Sequence, residues 1–90
     1  MEELLRFSAR STGFHIILPP KREFVLYKDR IEKYKKGNLI ERVLYSDIKD
    51  VICMSFPSRS ITIITKQNYS FSMLTMTKDQ YNKVREILNK

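Results

Sequence analysis

Short apolar runs, separated by turn signals roughly every 8–12 residues, restrict this chain to a β-sandwich or β-barrel. Phe14–Leu18 is one such run, entered through Thr12-Gly13 and stopped by Pro19-Pro20. The prolines remove ladder donors and hold the residue before them extended. Glu23–Tyr27 and Arg30–Lys35 follow, joined at Lys28-Asp29. Lys36-Gly37-Asn38 is the strongest turn signal, because Gly and Asn tolerate positive φ, and Leu39–Tyr45 pairs back across it. Ser46-Asp47 makes a second tight turn or cap before Ile48–Met54, and Phe56–Arg59 is a loop. Ser60–Lys66 is rich in β-branched residues and sets Ile61 and Ile63 on one face. Tyr69–Met73 alternates, which points Tyr69, Phe71 and Met73 at the core.

At Thr77 the period changes from two to that of a helix. Thr77 and Gln80 stand at the N-cap and N3 spacing of a capping box, with Met76 and Tyr81 at the flanking hydrophobic-staple positions. Tyr81, Val84, Ile87 and Leu88 form one apolar stripe, so a helix over 77–89 is expected to lie on the sheet. Near the start, Leu5, Phe7 and Ala9 alternate as in a strand. Residues 1–13 are therefore read as holding an extra strand, with a short helix opened by Leu4-Leu5 as the alternative.

Ninety residues make one domain, and a 42% hydrophobic, 30% charged composition is that of an ordinary globular chain. One cysteine, Cys53, rules out an internal disulfide and fits a reducing compartment. The acidic first residues lack the basic and apolar regions of a secretion signal, and no apolar run approaches the ~20 residues of a membrane span. A cytoplasmic protein is expected, peripheral to a membrane if it binds lipid. Chemistry-bearing residues are sparse. His15, on an apolar strand, is the single imidazole, so neither a metal cluster nor a nucleophile–base pair is indicated. Gly13 and Gly37 are too few for a phosphate-cradling loop. The ten carboxylates stand mostly beside lysines or arginines, as in surface ion pairs. Cys53, ending an apolar strand, reads as a small hydrophobe. The expectation is a non-enzyme without a cofactor.

Seven strand candidates from Phe14 onward, followed by one amphipathic helix, resemble the pleckstrin-homology fold, a bent antiparallel barrel whose open corner is plugged by the helix. Phe24–Tyr34 is similar to the second hairpin of the bacterial and GRAM-like branch. Val43–Val51 is similar to its most recognisable stretch, with Ile48 and Val51 three apart and inward. Ser60–Thr65 and Tyr69–Met73 resemble its final hairpin. The resemblance implies a mainly β, seven-stranded barrel capped by helix 77–89. A strand at Leu4–Ala9 would raise the count to eight, one beyond the simple fold. Members of this superfold bind phosphoinositides, peptides or other domains, so the resemblance implies a binding module without fixing its partner.

The net charge of +7 favours polyanions or acidic faces. It is concentrated between Lys21 and Lys36, where Lys21, Arg22, Lys28, Arg30, Lys33, Lys35 and Lys36 are opposed only by Glu23, Asp29 and Glu32. On a hairpin these side chains are expected to project from the outer face and both ends, with Lys33 and Lys35 on one side and Tyr34 on the other. Three partner classes fit: another protein, met at an exposed edge or groove; an anionic lipid surface; and nucleic acid, with Tyr27 or Tyr34 stacking. A homo-oligomer is compatible with each. The same lysines also serve as a solvated face that protects a sheet edge.

Overall fold

The computed structural model describes residues 2–11 and 20–89. Seven strands run β1 (Leu5–Arg10), β2 (Lys21–Leu26), β3 (Arg30–Lys35), β4 (Asn38–Leu44), β5 (Ile48–Met54), β6 (Arg59–Thr65) and β7 (Ser70–Met76), followed by helix α1 (Lys78–Leu88). They form one antiparallel sheet in the order β4-β3-β2-β1-β7-β6-β5, curled into a half-barrel. The mainly β architecture with a C-terminal helix is thus as the sequence implied. The first ten residues do hold a strand, β1. The expected strand Phe14–Leu18 lies outside the described residues, so the seven described strands are not the seven counted from Phe14.

Local chemistry explains the β3–β4 and β4–β5 turns and the start of the helix. Lys35 pairs with Asn38, leaving a two-residue loop in which Lys36 (φ 49°) and Gly37 (φ 82°) both have positive φ. That is the backbone a type I′ hairpin turn demands. Tyr45–Asp47 forms a short 3₁₀ turn, and the Tyr45 hydroxyl donates to the Tyr27 carbonyl at 2.7 Å, tying the β4–β5 connection to the end of β2. The capping box at Thr77 and Gln80 is present in both directions.

Phe7, Phe24, Leu26, Ile31, Ile61, Ile63, Phe71 and Met73 fill the concave side. Tyr81 and Val84 of α1 are buried against them, with Ile87 and Leu88 packed at the margin. Tyr69 is a correction: it precedes β7 and is half exposed, while Phe71 and Met73 are buried as expected. The sheet has two parts, β1–β4 and β5–β7, joined among the described residues through one paired position, Arg10 opposite Leu74. Next to it β7 bulges, since Ile61 faces Met73 but Arg59 faces Met76. Thr75 sits in that bulge with φ 54°, a backbone that β-branched residues seldom adopt.

Replacing Thr75 by Asn, which tolerates this conformation, is expected to raise stability by about 0.5–1 kcal/mol in urea unfolding. An unchanged or lowered midpoint would show that the bulge is not strained. Phe24→Ala is expected to cost about 3–5 kcal/mol in the same assay.

Candidate interaction surfaces

The seven cations singled out from the sequence do not form one surface. β3 separates its two ends by about 17 Å at ~3.3 Å per residue. Lys28 and Arg30 lie at one end of it, and Lys35 and Lys36 at the other. Antiparallel pairing of Glu23 with Tyr34 brings the start of β2, with Lys21 and Arg22, beside Lys35 and Lys36. Lys21, Lys28, Lys35 and Lys36 are exposed and Arg22 half-buried, and none forms an ion pair among the described residues.

Arg30 and Lys33 are differently placed. Lys33 points inward instead of outward, because it shares the Ile31 side of β3 and Ile31 is core. Its ammonium pairs with Glu41 of β4, donates to the Ser11 hydroxyl at 3.2 Å and stands 5.3 Å from the Phe71 ring centroid. Only 12% of its side chain is exposed. Arg30 lies 4.0 Å over the Tyr27 ring and contacts Asp29 and Glu32, both at 2.9 Å. Tyr34 faces away from Lys33, as expected. Its hydroxyl is not set out for stacking but donates to Glu32 at 2.6 Å.

Glu32 is the residue that charge counting missed. It is 4% exposed on the convex face, in a row across the sheet formed by Arg6, Val25, Glu32 and Arg42. Arg30 Nε, Tyr34 Oη and Arg42 Nε approach its carboxylate at 2.9, 2.6 and 3.3 Å. Burial pushes the Glu32 carboxyl up, but the hydrogen bonds from Tyr34 and Arg30 and the charges of Arg30 and Arg42 outweigh it and hold it below the usual range. The hydrogen bond to Glu32, then burial, push the Tyr34 phenol up to about 12. Val25, fully buried outside the concave core, lies in this row between Arg6 and Glu32. Arg30, Glu32 and Tyr34 at i, i+2 and i+4 were the sequence signal for this cluster.

The sheet does not close on itself: β4 and β5 are its two edges among the described residues. Apolar side chains stand exposed on both, Leu39, Ile40 and Leu44 on β4, and Ile52 and Met54 on β5. Phe56, just beyond β5, is 82% exposed. A shallow groove of about 450 Å³ runs along β4 past Leu39, Ile40, Arg42 and Leu44. A second, of about 420 Å³, lies between Leu4 and Leu5 and α1 at Ile87. Cys53 is a half-buried free thiol packed on the core. His15 lies outside the described residues, and among those described no three His, Cys, Asp or Glu side chains come together as metal ligands would. No described helix is long and apolar enough to cross a membrane. No protein-family model matches the sequence, and no curated protein matches it.

Glu32→Gln is expected to lower stability at neutral pH by about 1–3 kcal/mol, since a charged acceptor is lost from a buried cluster. The wild-type margin has a defined pH window. The folded carboxyl binds its proton at lower pH than the unfolded one. The margin is therefore complete above the ordinary carboxylate value and lost as pH falls through the folded one. Urea unfolding between neutral and acidic pH checks this. Wild type and Glu32→Gln should converge on acidification, and a constant difference would contradict the assignment.

Proposed function

We propose that this chain is a non-catalytic interaction module of the pleckstrin-homology-like kind, in its bacterial and GRAM-like branch, and that its partner is a protein. One observation carries the reading. Among the described residues, the curled sheet ends in two uncovered strands, β4 and β5, each bearing exposed apolar side chains. An open edge offers a row of backbone donors and acceptors to an added strand, and the neighbouring side chains supply specificity. The deep core and the capped helix hold that edge on a rigid scaffold, as a docking surface requires.

A second reading is supported by a different observation. Lys21, Arg22, Lys35 and Lys36 gather at one end of the sheet without carboxylate partners among the described residues. Such a cluster attracts phosphate-bearing polyanions, whether an anionic lipid surface or nucleic acid, at about 1 kcal/mol per cation near a membrane. Lys33 and Arg30 do not belong to that cluster, being engaged in their own ion pairs.

The readings separate experimentally. Panning a displayed library of linear peptides on the immobilised chain is expected to enrich extended apolar sequences that protect β4 or β5 amides from exchange. Absence of any edge-binding peptide would count against the protein-module reading. In parallel, reversing Lys21, Lys35 and Lys36 to Glu should leave peptide binding intact. If the second reading holds, the same change abolishes binding to phosphatidylserine vesicles or single-stranded RNA, binding that salt also weakens steeply.

A further inference from the structure

The two edges are not equivalent. β4 carries two devices that hinder strand addition. Ile40 is an extra residue, since Lys33 faces Glu41 while Tyr34 faces Leu39. Glu41 also turns inward, paired with Lys33. Bulges and inward charges on an edge strand both work against edge-to-edge pairing. In β5 the irregularity is confined to its start, at Lys49, and Asp50–Met54 pairs without interruption with β6.

The free side of β5 is identified by one hydrogen bond. The Val51 N–H donates to Asp50 Oδ1 at 2.9 Å. It therefore faces the open edge, and by alternation so does that of Cys53. Ile52 and Met54 project on the convex face, 46% and 51% exposed. Asp50 thus occupies the first edge donor with its own carboxylate, and Cys53 offers the next.

We propose that β5 is a self-association edge: it pairs antiparallel with β5 of a second copy about Ile52, and Asp50 is the side chain that competes with this pairing. The proposal rests on the interaction-module reading and names its partner. In this register Val51 and Cys53 of each copy exchange main-chain hydrogen bonds with Cys53 and Val51 of the other. Ile52 meets its counterpart in a close, non-hydrogen-bonded pair, where Cα atoms stand about 4.5 Å apart. Asp50 meets Met54, so no like charges oppose each other. Centring the pair on Asp50 would set carboxylate against carboxylate. The equivalent central pairings of β4 would set Glu41 or Arg42 against itself, which is destabilising. Each copy carries +7, so repulsion opposes the encounter and salt relieves it. This is the reverse of the salt effect on polyanion binding.

Sedimentation velocity from micromolar to about 1 mM protein, at low and moderate salt, tests this. The wild type is expected to shift toward twice the monomer mass with concentration, more readily in salt. Ile52→Lys, and independently Met54→Asp, which would set a carboxylate opposite Asp50 of the other copy, should stay monomeric with an unchanged thermal midpoint, while Ile40→Lys on β4 behaves as wild type. Asp50→Ala, which frees the Val51 donor, should tighten association by about tenfold. A wild type and an Asp50→Ala variant that both remain monomeric throughout would overturn the proposal. So would an association that Ile40→Lys breaks and Ile52→Lys does not. A monomeric chain that still binds edge-directed peptides loses the self-pairing but keeps the interaction-module reading. A monomer that binds none loses both.

Discussion

Phe24 holds the two parts of the sheet together. Among the described residues, backbone pairing between them is confined to Arg10 and Leu74. Phe24 of β2 stacks on Phe7 of β1 at 5.6 Å and meets Phe71 of β7 edge-to-face at 5.7 Å, so one ring touches both parts. Aromatic pairs at these separations contribute beyond their buried area. With this cluster in place, the sheet can curl without a continuous ladder. The consequence is a half-barrel whose outermost described strands, β4 and β5, have no strand beside them among the described residues.

Much of the fold was legible because period and turn chemistry agree along most of the chain. Ile61 and Ile63, Phe71 and Met73, and the stripe of Tyr81 and Val84 are all buried as their spacing predicts. The Lys36-Gly37 turn and the Thr77–Gln80 box followed from residues that few other conformations favour. Tyr69 misled because alternation predicts burial only within the packed strand: β7 begins one residue later, and Tyr69 is half exposed at its margin. The bulge at Thr75 had no signal in its own residue type. Threonine there opposes the conformation it is made to adopt, and only the tertiary junction imposes it.

The site was less legible than the fold, and for a physical reason. A count of lysines and arginines treats every cation as solvated, yet the strand period already set Lys33 on the Ile31 side, toward the core. Arg30 was counted as available although Asp29 and Glu32 stand within two residues of it. What remains of the basic hairpin is a smaller cluster at one sheet end. The open edges could not be read at all, because which strands lie last in a sheet depends on long-range pairing. The contrast between an inward Glu41 on β4 and an outward Ile52 on β5 appears only once that order is known.

The central claim is that, among the described residues, the sheet stops at β5 and leaves the outward N–H of Cys53 without a strand partner. Residue-resolved amide exchange on a dilute sample tests this most directly. The account predicts slow exchange for Phe24 and Val25 in the middle of the sheet and fast exchange for Cys53, whose N–H faces the open edge. Equal protection of Cys53 and the β2 amides at high dilution would contradict it, since the edge would then be closed by the chain itself and no docking strand would remain.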